Sequence, residues 1–311
     1  MADPYKTDVG VVLSKIESTY GTDPTPSGAA NAVLAFNVAF DPNPQTPLER
    51  KPLRPYLGGA RKAIAARHVT LGFDVEMAGA GAAGDAPAYG PLLRMCGLAE
   101  TLTSETDAQY DPVSSAFESG THYFNADGVN HKTTGARGNL EVVCNANEVP
   151  MFKFAYTGLH VDPAAVSLPT ADFTAFLHPS PIDDVNTPTF SLGAYAAKLH
   201  QLSINLNNRV AHRPYPNGEA VQMTGRAITG SVSIEAPQIG TKDYFAVAKA
   251  ETLVALQLIH GGTAGDIVQI DCPAVQLINP RYEDVDGVRH LRMDLEIVPD
   301  EGDDEIKITV K

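Results

Sequence analysis

VTLGFDVEMAGAGAAGDAPAYGPLLRMCG, residues 69–97, passes from a strand-like segment through a glycine cluster into a helix-like segment. Gly79-Ala80-Gly81-Ala82-Ala83-Gly84 has the G-x-G-x-x-G spacing of a dinucleotide-binding loop, in the right place between strand and helix. The flanking residues decide against that reading. Val69, Leu71, Phe73, Val75 and Met77 alternate with Thr70, Gly72, Asp74 and Glu76, a period of two. Such alternation belongs to a sheet with one wetted face, whereas the central strands of a doubly wound sheet are apolar on both. Asp85 and Pro87 follow the last glycine, so the helix starts later and a carboxylate stands where a phosphate would sit. The glycine run reads as a mobile strand-to-helix connector.

A second copy of the layout supports this. RPYLGGARKAIAARHVTLGFDVE (54–76) aligns without a gap on RPYPNGEAVQMTGRAITGSVSIE (213–235). Arg54, Pro55, Tyr56, Gly59, Arg67, Thr70 and Glu76 recur as Arg213, Pro214, Tyr215, Gly218, Arg226, Thr229 and Glu235. The second connector, APQIGTKD (236–243), joins strand to helix with one glycine and no phosphate-loop spacing. Each copy continues with a short helix, spanning about 87–98 and 241–252, and closes on an alternating run, MFKFAYTGLHV (151–161) or HLRMDLEIV (290–298). The shared order reads as duplication of a whole domain. Other β-rich runs fall at 32–40, 121–131, 139–144, 202–206, 254–260, 267–271 and 274–278. The proline-rich stretch 163–188 reads as a linker between a first domain, 1–162, and a second, 189–311.

Composition narrows the function classes. The 311 residues suit about two domains, each able to bury a core. No apolar run reaches the roughly 18 residues that cross a bilayer, and the opening Met1–Lys6 lacks signal-peptide character, so the expectation is a protein made and kept in a cytosol. Thirty-seven acidic residues against 23 basic ones, a net charge of −14, disfavour gripping nucleic acid. Cys96, Cys144 and Cys272 are too sparse for a disulfide framework or a zinc site. No G-x-S-x-G, H-E-x-x-H or Walker-type motif occurs. Asn125–Gly128 and Asp286-Gly287 read as hairpin turns, and Asp300–Glu305 as an acidic turn before a last strand. Neither a catalytic set, nor a metal site, nor a cofactor is expected.

The chain resembles the tail tube (major tail) proteins of long-tailed bacteriophages. VVLSKIESTYGTDPTPSGAANAVL (11–34), RPYLGG (54–59) and GPLLRMCGLAET (90–101) carry the likeness. So do YDPVSSAFESGTHYFNADGVNHKTTGARGNLEV (110–142), VPMFKFAYTGLHVDP (149–163) and NTPTFSLGAYAAKLHQLSINLNN (186–208). The resemblance implies a mainly β protein of two tandem tail-tube-type β-sandwich or split-barrel domains, each with a short flanking α-helix. It implies rings stacked into a virion tail, with tail terminator and distal tail or tape-measure proteins as partners at the ends. Double-stranded DNA would pass through without specific binding, and no membrane is involved. Relatives with one domain per chain form six-membered rings and those with two form trimers, which is where the duplication places this chain. With about four strands per domain, again from the family, six domains give about 24 strands at roughly 4.8 Å spacing and about 40° tilt. The resulting bore is about 40 Å, wide enough for duplex DNA, whereas three domains would leave only about 14 Å.

Two sets of residues are candidates for working parts. Asp74, Glu76, Glu141 and Glu235 alternate with apolar neighbours and are candidates for an acidic, DNA-repelling bore. The segments 41–66 and 207–224 are candidates for contacts between subunits or rings, through Arg54, Tyr56, Arg61, Arg67, Arg213, Tyr215 and Arg226. A non-viral β-rich tube or adhesin subunit is the alternative. A carbohydrate-active β-sandwich enzyme is weaker, because the chain has no Trp and only 7% aromatics for sugar stacking.

Overall fold

The computed structural model describes Lys6 and residues 9–311; Met1 to Tyr5, read above for a leader, lie outside the described residues, as do positions 7 and 8. The chain is mainly β. A first set of elements comprises β1 (Gly10–Ile16), α1 (Gly28–Asn31), β2 (Ala32–Val33), β3 (Phe36–Asp41), β4 (Gln45–Leu48), β5 (Ala63–Glu76), α2 (Gly90–Met95), β6 (Leu98–Thr103), β7 (Asp107–Pro112), β8 (Gly120–Ala126), β9 (Val129–Asn145), β10 (Met151–His160) and β11 (Ala164–Ala165). A second comprises β12 (Thr189–Leu192), β13 (Tyr195–Ala196), β14 (Leu199–Asn205), β15 (Val210–Tyr215), β16 (Gly218–Met223), β17 (Thr229–Glu235), α3 (Tyr244–Lys249), β18 (Val254–His260), β19 (Val268–Val285), β20 (Val288–Ile297) and β21 (Lys307–Val310).

These strands pair antiparallel, and the two sets pair in the same order. β3 pairs with β5, β5 with β10, β10 with β9, β9 with β8 and β8 with β1. Likewise β14 pairs with β17, β17 with β20, β20 with β19, β19 with β18 and β18 with β12. The registers agree as well: Glu76 lies opposite Met151, and Glu235 opposite His290.

Four strands of each set join into one wall, β3-β5-β10-β9-β14-β17-β20-β19. The junction forms because Glu141–Asn145, the last part of β9, pairs with Gln201–Asn205 of β14. The sets are stitched again where β21 pairs with both β19 and β7. One continuous core lies on one side of the wall, beneath α2 and α3. Val69, Leu71, Phe73 and Val75 of β5 point into it, facing Phe152, Phe154 and Tyr156 of β10, with Val232, Ile234, Leu291 and Met293 doing the same in the second set. Each such side chain contributes roughly 1.5–3 kcal/mol by leaving water, which locks the register, since a one-residue slip would turn the whole row outward.

Several expectations change in three dimensions. The run 32–40 is two strands on different partners: Val33 pairs with Val12, while Phe36 pairs with Asp74. The helices are shorter than expected. Gly90–Met95 begins after a turn at Pro87 and stops at Gly97, whose φ of +80° is a left-handed terminus. Asp243 caps α3 through a bond from the Ala246 amide, and Glu251, at φ +54°, follows its end. The glycine connector is pinned rather than mobile. Gly81 N–H donates to Gly265 O at 2.8 Å, and a Cβ on Gly79 would stand 2.1 Å from that same oxygen. The glycines permit two backbones to cross in contact. Residues 163–188 have little regular structure but are tied down: Ile182 is buried and its amide and carbonyl bond Glu148 and Asn147. The turns at Asp127-Gly128 and Asp286-Gly287 are hairpin tips, with positive φ at all four residues.

Candidate functional site

The side of the wall away from the core is polar, and its composition follows from strand alternation. From Val69 onward in β5, from Leu291 onward in β20, and along β10, β17 and the later part of β9, alternate residues are committed to the core, which leaves the intervening ones on the other face. All four acidic candidates fall there. Asp74, Lys153 and Glu141 stand side by side on β5, β10 and β9, and the row continues through Asn205 and Thr229 to Glu296. Glu76 is next along β5, opposite Met151. Glu235 lies across from His290, which lies across from Glu283. Glu235 also holds Lys198 at 2.8 Å, which lifts the Lys198 ammonium above its ordinary range.

Alternation within HLRMDLEIV places Asp294 and Glu296 on this face too, a signal already present in the sequence and equivalent to that of Asp74 and Glu76. Hydrogen bonds from Asn279 and Arg281 hold Asp294 below the usual carboxylate range. Arg281, Arg292 and Lys153 are the bases among these positions. The arrangement offers a broad wetted surface whose acids in a row stand two or three strands apart, about 10–14 Å, with other side chains between them.

The two loop segments have different fates. Residues 41–66 form an arm in which β4 pairs with the start of β5. Arg54, Arg61 and Arg67 are exposed on it, Arg54 lies 5.8 Å from the ring of Tyr56, and Leu53 and Leu57 are fully in solvent. Residues 207–224, by contrast, fold onto their own chain as the β15–β16 hairpin. Its Val221 is buried, its carbonyl accepts from Arg137 Nη1 at 2.9 Å, and its amide donates to Tyr20 Oη. Tyr215 is exposed at the hairpin tip and Arg213 is half-buried. Arg226 is engaged within the chain: its guanidinium meets both Glu305 oxygens at 2.9 Å, Asp303 at 3.1 Å and the Val113 carbonyl at 3.0 Å. Asp303 is held below its ordinary range first by a hydrogen bond from Ser114 and further by Arg226. The repeat of Arg67 as Arg226 therefore preserves the residue and not its setting.

Sequence reasoning missed Glu17. This carboxylate is buried and accepts four bonds of 2.7 Å, from the Gly21 and Gly135 amides and the Ser119 and Thr121 hydroxyls. It ties the end of β1 to β8 and β9. The three cysteines are buried free thiols, and burial pushes Cys144 up to about 12. Among the described residues no three His, Cys, Asp or Glu side chains are grouped to hold a metal ion, and no helix is long and apolar enough to cross a membrane.

A profile of the family described as phage tail tube protein matches residues 7–311, nearly the whole chain. The chain belongs to the phage tail tube protein family. No curated protein matches it. As a tail tube chain it is a structural component of a virion tail.

Proposed function

We propose that three copies of this tail tube chain close into a ring, and that rings stack into a conduit for the genome. In this reading residues 1–162 and 189–311 are duplicated tube domains with 163–188 between them. The observation that carries it is the wall of eight antiparallel strands, four from each set in the same order. An even number of alternating strands leaves β19 running opposite to β3, so the last strand of one copy suits the first strand of the next. Three copies supply about 24 strands, for which the spacing and tilt of a closed barrel give a bore of about 40 Å. Closure also removes the two free edges that would otherwise invite aggregation.

One face of the wall is core, so the polar face lines the bore. Asp74, Glu76, Glu141 and Glu235 then repel DNA phosphates and keep the genome from sticking, since any contact made by a basic wall would have to be broken again during ejection. Tail terminator and distal tail or tape-measure proteins cap the two ends, and the subunit is made in the host cytoplasm before joining the virion. Electron microscopy of the purified chain tests the conduit: stacked rings with an open channel are expected, and lone particles or plugged rings would sink it. Virions carrying Asp74→Lys and Glu141→Lys should eject DNA more slowly; unchanged ejection removes the charge argument.

A further inference from the structure

The β9–β14 junction inside the chain has a counterpart that is left open. Matching the two sets by register places Glu141–Asn145 of β9 on Arg281–Val285 of β19. Lys153 faces Glu141 as Arg292 faces Arg281, and Met151 faces Val143 as His290 faces Glu283. In the same way Ser203–Asn205 of β14 match Ala39–Asp41 of β3, because Asn205 faces Thr229 as Asp41 faces Thr70. Within the chain the first pair of edges is joined, with Glu141 opposite Asn205 and Val142 opposite Ile204. The second pair is not: among the described residues β3 pairs only with β5, and Arg281–Val285 only with β20.

Exposure follows the same division. Val142, Cys144, Leu202 and Ile204, on the core side of the closed junction, are at most 1% exposed. Of their counterparts, Tyr282 is 48% exposed and Phe40 is half-buried, and Val38, just beyond the matched residues of β3, is 39% exposed. The segments that follow β14 and β3 diverge likewise. The β15–β16 hairpin lies on the first set, where Asn208 Nδ2 donates to Cys96 O at 2.6 Å and Met223 is buried against Gly97. The arm that follows β3 buries nothing comparable and leaves Leu53, Leu57 and Tyr56 in water.

We infer that β3 of one copy pairs antiparallel with β19 of a second copy, with Asp41 opposite Arg281, Phe40 opposite Tyr282 and Ala39 opposite Glu283. The occupant of both edges is this same chain, because the closed junction is the intramolecular version of the open one. Asp41 and Arg281 then form an ion pair on the polar face. Phe40 and Tyr282 meet on the core side, where Ile204 and Val142 meet within the chain. The arm at 42–66 lands on the second set of the neighbour as the β15–β16 hairpin lands on the first, covering its exposed leucines. The inference rests on the ring proposed above and adds its seam and register.

Directly opposite residues of an antiparallel pair have Cα atoms about 4.5–5.5 Å apart, within reach of a disulfide. The full chain carrying Asp41→Cys and Arg281→Cys, assembled and mildly oxidised, should give dimers and trimers, with the ladder ending at three, on non-reducing gels. The three native thiols are buried and add no background. Asp41→Cys with Glu283→Cys, two residues out of register, should cross-link at least tenfold less. A second arm uses charge: Asp41→Lys should weaken assembly, and adding Arg281→Glu should restore it. Rings that form while the Asp41–Arg281 pair fails to cross-link, or that cross-link equally well out of register, overturn the seam and leave the ring standing. If the wild-type chain forms no rings, both are overturned.

Discussion

Replacing His122 by Leu should remove about 2 kcal/mol of the stability that the subunit loses between pH 7 and pH 5. His122 sits on β8, fully buried, with its ring 4.4 Å from that of Tyr156 and 6.1 Å from that of Phe73. Neither ring nitrogen has a hydrogen-bond partner among the described residues. Burial without a partner disfavours the imidazolium and pulls the pKa down from 6.5 to about 3. The folded pKa is depressed, so between those values the unfolded chain binds the extra proton and folding loses stability as pH falls. At pH 7 both states are largely neutral and the contribution is intact. By pH 5 the unfolded histidine is almost fully charged and the folded one neutral, a loss of about 2 kcal/mol from this residue alone. Urea unfolding of the unassembled subunit at the two pH values measures it. His68 and His131 are also depressed by burial, so the wild type should lose more than this in total. The decisive quantity is the difference: His122→Leu should lose about 2 kcal/mol less than the wild type between pH 7 and pH 5. Its stability at pH 7 should be equal or higher, since Leu is of similar size and leaves no polar atom unpaired. Equal acid losses in the two proteins would refute the argument.

Three further outcomes follow from single sites. Glu17→Gln turns an amide NH2 toward two donors where a carboxylate oxygen accepted both, and should cost about 2–4 kcal/mol in urea unfolding; an unchanged midpoint would show that the four bonds do not hold the β1–β8 corner. Gly79→Ala places a Cβ 2.1 Å from Gly265 O and should destabilise by about 1–3 kcal/mol, whereas Gly262→Ala, with nothing within 4 Å of the new methyl, should be near neutral. Arg226→Lys keeps the charge and loses the forked contact to Glu305, so the C-terminal turn should loosen by about 1–3 kcal/mol, seen as faster amide exchange in β21 and β7 than in β5.

Period-two alternation in β5, β10, β17 and β20 made the strand character legible, along with the single wet face that carries Asp74, Glu76 and Glu235. Within the gapless match of 54–76 with 213–235, Thr70 and Glu76 of β5 recur as Thr229 and Glu235 of β17 in corresponding registers, whereas the other five identities fall in segments that fold differently in the two sets. Strands such as β1 and β7 were not read out. DAQYDP alternates only between buried Ala108, Tyr110 and Pro112 and polar positions, a pattern too short and too polar to stand out without β21 beside it. Glu17 was invisible for a related reason: its four donors lie as far as 118 residues away along the chain.

Local chemistry thus determined the mainly β class and the turns at Asp127-Gly128 and Asp286-Gly287, since each depends on residues within a few positions of one another. Tertiary structure alone decided that the glycine run is a pinned crossing, that residues 207–224 fold back on the chain while 41–66 stay extended, and that Arg226 is spent on Glu305. Those outcomes depend on which distant backbone or charge arrives alongside, and only the packing of the two strand sets brings them there.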